Sequence, residues 1–330
     1  MHLLIMETTL KKISRLAVAG MALFVATVAA EPVYPTKPIT LVLGFPPGGG
    51  ADSVGRVYAN ALSKILEQPV VVENKPGAGA TIAAGQVAKA KPDGYTLYLG
   101  NASVMGSDTA LYNVSYTPDD FMPIARLTIS PMILIASKKS GISSVSDLLE
   151  RARKAPGTLN VASSGNGVIT HLGAVEFMQL SNTQLMHIPF KGGAAATQSV
   201  AAGETDISFA TAPSARTAID TGKAIGLGIT SAKPSELIPQ YEPISQLGLP
   251  GYNIANWWGI FAPAGTPKDI ADVLFKATNT VLEDADVKKN FATVYEEVAP
   301  SESIEAFNQF AKSEGEQGLR LARLSRETAN

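Results

Sequence analysis

The chain has 330 residues, no cysteine and three histidines, and its 27 Lys plus Arg nearly balance 29 Asp plus Glu. That excludes a disulfide framework, thiolate metal sites and a Cys nucleophile, disfavours a His-rich metal centre, and leaves no basic footprint for nucleic acid. With 45% apolar residues the chain can bury a large core, and its 29 Gly and 21 Pro promise many turns.

Lys11, Lys12 and Arg15 precede an apolar run over 16–28, and Val28-Ala29-Ala30 places small residues before a cut. This is the layout of a secretory signal, with cleavage expected after Ala30. The run is shorter than the roughly 20 residues that span a bilayer.

The next pattern is strand, glycine loop, helix. Residues 39–43 are β-formers, 44–50 are a Gly/Pro loop, and Val54, Val57, Ala61, Leu62, Ile65 and Leu66 recur at helical spacing. A second strand over 69–73 enters a loop at 74–79 and an Ala-rich helix to about 90. A third strand over 95–99 ends at Gly100-Asn101. Later come a strand over 132–136, a helix over 145–154, a strand over 159–162 with the loop 163–167, and a helix over 169–180. They are followed by a strand over 184–188 with the loop 189–193, a helix over 194–202, and strands over 206–209 and 225–230. A strand over 258–262 leads to a helix that Thr266 is expected to cap and Pro267 to begin. This alternation predicts an α/β fold of mainly parallel sheets flanked by helices.

The glycine loops carry the chemistry. Each helix start offers free N–H groups and a partial positive charge. Such loops gather at the carboxyl ends of strands, and several together hold an anion without arginine. Phosphate motifs are absent: no Lys-Ser/Thr follows Gly48-Gly49-Gly50, and Ile82 breaks a dinucleotide fingerprint at Gly77-Ala78-Gly79. Asp52 and Arg56, four apart, suit an ion pair within the first helix. His171, behind the 163–167 loop, is either a ligand donor or a helix residue bonded to backbone; His187 reads as structural. Asp206 is structural or pocket-lining.

Several stretches together resemble the Bug family, the extracytoplasmic receptors of tripartite tricarboxylate transporters. They are Tyr34-Pro35-Thr36-Lys37-Pro38, Phe45-Pro46-Pro47-Gly48-Gly49, Val72-Glu73-Asn74-Lys75-Pro76-Gly77-Ala78-Gly79 and Pro92-Asp93-Gly94-Tyr95. The similarity continues through Ser163-Ser164-Gly165-Asn166-Gly167 with His171, Pro189-Phe190-Lys191-Gly192-Gly193, and Trp257-Trp258-Gly259 with Ala262-Pro263-Ala264-Gly265.

The resemblance implies a two-lobed flytrap that captures a small mono-, di- or tricarboxylate in the periplasm and delivers it to membrane permease subunits. It implies a monomer, with no cofactor, no metal and no catalysis. The lobes would be 31–127 plus 257–330, and 128–256, joined by strands near 124–135 and 252–261. The implied ligand contacts begin with Phe45, Pro47, Gly48, Gly49, Gly50 and Asp52 in the first loop, and Asn74, Gly77, Ala78, Gly79 and Thr81 in the second. Asn101 follows the third strand. Ser163, Ser164, Gly165, Thr170 and His171 would face them, with Pro189, Phe190, Gly192, Gly193 and Trp258. The carboxylate is expected on the N–H groups of Gly48 to Gly50 and Gly77 to Gly79. Phe190, Ala195, Thr211 and Ile225 depart from the family pattern. Two other functions stay open: an exported hydrolase using Ser163 or Ser164 with His171, and a sensory receptor serving a membrane kinase.

Overall fold

The structure is a computed structural model that describes residues 34–327; the expected export signal at 1–30 lies outside them. Contacts divide the chain at Thr36, and every strand and helix of the fold belongs to the unit that begins at Lys37.

The chain opens with β1 (Ile39–Leu43), α1 (Gly50–Leu66), β2 (Val70–Asn74), α2 (Thr81–Ala88) and β3 (Thr96–Gly100), then two short helices, α3 (Ala102–Met105) and α4 (Ser107–Leu111). β4 (Phe121–Ser137) leads to α5 (Val145–Lys154), β5 (Asn160–Ser163), α6 (Ile169–Ser181), β6 (Met186–Pro189), α7 (Gly193–Ala202), β7 (Ile207–Thr211), α8 (Ala212–Asp220) and β8 (Ala224–Ile229). β9 (Ala255–Pro263), α9 (Lys268–Glu283), α10 (Ala285–Thr293) and α11 (Ile304–Glu327) complete it. Among the described residues no helix is long and apolar enough to cross a membrane.

β4 is the central element. Where the sequence predicts a short strand, one strand of 17 residues forms. Its first part pairs antiparallel with β9, from Phe121 against Pro263 to Pro131 against Ala255. From Met132 onward it pairs instead with β7 and β8. The switch falls at Pro131, which has no N–H to give a ladder. On one side β1 lies parallel to β2 and β3, and β3 pairs antiparallel with β9. On the other, β5 lies parallel to β6 and β7.

Each half has its own core. Tyr98, Phe121, Trp257, Phe261 and Phe307 pack together in the first; Leu134, Leu148, Phe177, Phe209 and Tyr252 pack in the second. α11 joins both. Its buried face runs from Phe307 and Ala311, in the first core, through Gly315 and Gly318 to Leu321 and Ala322, in the second. A helix of this length reaches about 36 Å. α3, α4, α8, α10 and α11 lie outside the elements expected from sequence. Thr266 does not cap α9: Pro267 occupies the cap position, and the Thr266 hydroxyl donates to the Pro263 carbonyl at 2.8 Å.

Candidate functional site

The first glycine loop hands β1 to α1. Gly49 is the cap residue, in extended conformation and without a side-chain cap. The first intrahelical bond runs from the Ser53 N–H to the Gly49 carbonyl, so the N–H groups of Gly50, Ala51 and Asp52 have no partner in the helix. The loop is held from behind by Asp52. One carboxylate oxygen accepts from the Gly48 N–H and from Arg56 Nε, each at 3.0 Å. The other accepts from Asn74 Nδ2 at 3.1 Å and lies 2.9 Å from Arg56 Nη2. Asn74 also donates to the Phe45 carbonyl. Burial opposes the charge on Asp52, but these hydrogen bonds outweigh it and hold the carboxyl below the ordinary range.

Three further helix starts face this loop. α6, α7 and α8 follow the cap residues Val168, Gly192 and Thr211, and in none does the cap side chain accept from a backbone N–H of the helix. The approach is close enough to demand glycine at two places. A Cβ on Gly50 would stand 2.7 Å from Thr211 Oγ1, and one on Gly192 would stand 2.9 Å from Pro46 Cδ. Gly192 also has φ of +103°, a conformation that favours glycine.

Between these loops lies a cavity of about 430 Å³, part of it open to solvent. The first half contributes Phe45, Pro46, Pro47, Gly49, Gly50, Ala51 and Asn101. Ser164, Val168, Ile169, Gly192, Gly193, Ala194 and Thr211 face them, and Asn256 and Trp258 on β9 close one side. Phe45 and Trp258 meet edge to face, centroids 6.1 Å apart. No lining residue is ionisable. The polar groups are the free helix N–H groups, the hydroxyls of Ser164 and Thr211, and two amides. Asn101 Oδ1 accepts from the Ser103 N–H at 3.1 Å. Both amide atoms of Asn256 are buried without a partner. Behind Trp258 stands the buried carboxyl of Glu296, which accepts a 2.8 Å bond from the Thr128 hydroxyl. Burial pushes it up to about 7, against partial relief from Thr128 and the nearby Ser130 and Trp258. The Trp258 indole N–H makes no well-formed bond of its own.

The expected contacts therefore divide. Phe45, Pro47, Gly49, Gly50, Asn101, Ser164, Gly192, Gly193 and Trp258 line the cavity; Gly48, Asp52 and Asn74 brace its first loop from outside. The loop holding Gly77, Ala78 and Gly79 does not line it. A Cβ on Gly79 would stand 2.6 Å from the Tyr112 hydroxyl and 3.0 Å from the Asn166 carbonyl, so this loop abuts the opposite half. Thr81 is turned inward, its hydroxyl on the Ala78 carbonyl at 2.8 Å. Thr170 bonds Ser164 through its hydroxyl, and Pro189, Phe190 and Gly165 are not on the cavity wall. The sequence reading missed Pro46, Ala51, Val168, Ile169, Ala194, Thr211 and Asn256. Ala51 and Ala194 had a readable signal, since each sits in a first turn beside a selected glycine.

His171, buried, and His187, half-buried, stack with centroids 3.8 Å apart. His171 Nδ1 accepts from the Gly167 N–H at 3.0 Å, and His187 Nε2 lies 2.6 Å from the Ser163 hydroxyl. Burial, aided by its neighbour, lowers His171 to about 3, and burial lowers His187 to about 4. Thus Ser163 meets His187, not His171, and Ser163 is 0% exposed. Asp206 is structural: it exchanges hydrogen bonds with Asn160, at 2.9 and 2.8 Å.

Residues 54–323 match the model of the tripartite tricarboxylate transporter family receptor. The chain is 31% identical to BugT of Bordetella pertussis, covering 84% of this chain and 87% of that protein. Among solved structures it resembles MatC from Rhodopseudomonas palustris with bound malate, at 30% identity and TM-score 0.82, covering 88% of this chain and all (100%) of that one. It resembles Rpa4515 of R. palustris with adipate at 28% identity and TM-score 0.84, covering 88% and 98%.

Proposed function

The chain belongs to the tripartite tricarboxylate transporter receptor family, and from that premise we propose that it binds a small organic carboxylate on converging helix starts and closes over it. The protein is a two-lobed solute-binding receptor of that family. Its relatives hold malate and adipate, which supports a carboxylate here.

The observation that carries the reading is the cavity itself. The N-termini of α1 and α7 open into it without an ionisable side chain on its wall. The carboxylate sits between the N–H groups of Gly50 and Ala51 on one side and Gly193 and Ala194 on the other. Each helix start contributes roughly 0.3–1 kcal/mol toward an anion, more in a partly buried site. With direct hydrogen bonds this reaches micromolar affinity, about −8 kcal/mol.

The lobes are 31–127 plus 257–330, and 128–256, with α11 spanning both cores. Capture follows the hinge-closure route, pivoting where β4 changes partners and β9 begins. The receptor works in the periplasm, where this family resides, after cleavage near Ala30. It serves as a monomer, delivers its ligand to the membrane permease subunits, and releases it unaltered. Against the alternative of an exported hydrolase using Ser163 or Ser164 with His171, the Ser163 hydroxyl is buried and meets His187 instead.

A thermal-shift screen of organic acids tests this. An acid at 100 times its dissociation constant stabilises by about 2.7 kcal/mol, and its methyl ester does not. If no acid in a broad panel shifts the transition, the reading is wrong.

A further inference from the structure

Resting on that receptor reading, we propose that the ligand carries one carboxylate and, at its other end, an uncharged group that both donates and accepts hydrogen bonds, and that Asn256 selects it. The chemical class is a hydroxy- or carboxamide-bearing monocarboxylic acid.

The first support is the charge inventory. The cavity wall has no Lys, Arg or His, so a second carboxylate would be desolvated with no cationic side chain to pair with. Across the first loop, Arg56 is paired with Asp52 and bonds Asn74. Behind Trp258 stands Glu296, itself a carboxyl. A distal anion would find no basic side chain there.

The second support is Asn256. It is 2% exposed, it lines the cavity beside Trp258, and neither Oδ1 nor Nδ2 has a partner. Buried amides are nearly always bonded, so this one is a pair of functions left for something the cavity takes up. A carboxylate accepts from Nδ2 but leaves Oδ1 facing negative charge. A hydroxyl or carboxamide answers both atoms. The neighbours keep it so: Asn101 already spends Oδ1 on Ser103, and the Thr211 hydroxyl is directed to Ser214 at 3.2 Å. β9 sets the placement, because period-two alternation puts Asn256 on the cavity face with Trp258 and turns Trp257 into the first core.

Isothermal titration of the purified mature protein tests the proposal with matched acids in two lengths. The four-carbon set is succinate, succinamate and 4-hydroxybutyrate; the six-carbon set is adipate, adipamate and 6-hydroxyhexanoate. In the length that binds, a neutral-ended acid is expected to bind at least about tenfold tighter than the dicarboxylate. Asn256→Ala should erase that preference while leaving the unliganded melting temperature unchanged or raised, since it removes unpartnered buried groups. A dicarboxylate that binds as tightly as its neutral-ended partners, or a preference untouched in Asn256→Ala, overturns the assignment and leaves the receptor reading standing. Binding by none of the six acids overturns the assignment, and the receptor reading falls with it only if the broad panel of acids also fails. Should Asn256→Ala not fold, the wild-type ratios decide alone.

Discussion

The Tyr112 hydroxyl donates a 2.8 Å hydrogen bond to the main-chain carbonyl of Asn166. Tyr112 follows α4, and Asn166 lies in the loop between β5 and α6, so the bond joins the two halves of the fold. The Ser107 hydroxyl makes a parallel bond to the Gly167 carbonyl, also at 2.8 Å. Both bonds cross between the halves, so a receptor that closes would be held by them. Tyr112→Phe removes one, which is worth about 0.5–1.5 kcal/mol. Ligand affinity should fall about threefold to tenfold in calorimetry, chiefly through a faster off-rate in stopped flow. An unchanged off-rate would mean that closure does not use this contact.

Gly49 has an ordinary extended conformation, φ −96° and ψ −178°, so a side chain there strains nothing. A Cβ would stand 3.9 Å from the Gly193 nitrogen. Gly49→Leu should therefore fill the cavity. Ligand-induced stabilisation should vanish, while unliganded stability falls by no more than about 1 kcal/mol for the poorer helix cap. Retained ligand response would place the anion elsewhere.

Asp52 braces the first loop through Gly48, Arg56 and Asn74. Asp52→Ala strands those donors and should cost about 1–3 kcal/mol in denaturant unfolding at pH 7. Because the folded carboxyl titrates below its unfolded value of 3.8, its contribution is complete above pH 3.8 and fades as pH falls below it. Wild type and variant should converge in acid.

Glu296 and the histidine pair oppose each other as pH changes. Glu296 is raised to about 7 from 4.5, so its contribution is full below pH 4.5 and is lost as pH rises through 7. His171 and His187 are lowered from 6.5 to about 3 and about 4. Their contribution is full above pH 6.5 and is lost as pH falls. Glu296→Gln should therefore gain on wild type as pH rises from 5 to 8, read from urea midpoints. A gap independent of pH would show that Glu296 keeps its charge when folded.

Gly315 brings α11 against the end of α3. A Cβ there would stand 2.4 Å from the Met105 carbonyl oxygen, a contact with backbone that cannot move aside cheaply. Gly315→Ala should cost about 1–3 kcal/mol in thermal unfolding. Unchanged stability would mean that α11 tolerates displacement from both cores.

Much of this architecture is written locally. The switch from alternating β-formers to helical spacing after residue 50 marks β1 and α1, because side-chain period follows backbone geometry. The glycine loops are legible for the same reason, since residues that must approach another backbone leave no other choice of side chain. The resemblance of the loops to a known receptor family carried the rest of the functional reading.

What the chain order alone leaves open is which loop faces which. Gly77 to Gly79 and Gly48 to Gly50 look alike as strand-to-helix turns, yet only the second stretch has residues on the cavity wall, because the first abuts Tyr112 and Asn166. Ser163 and His171 are close in sequence, but the partner that reaches Ser163 is His187, carried there by the pairing of β5 with β6. Asn256 gives no local sign of its role; it becomes informative only when β9 buries it beside Trp258 with both amide atoms unbonded. The sequence determined that this is a cysteine-free α/β receptor with glycine-lined helix starts, since those depend on neighbours along the chain. Only the tertiary structure decided that the cleft wall carries no ionisable group and one waiting amide, since that depends on contacts between residues far apart in the chain.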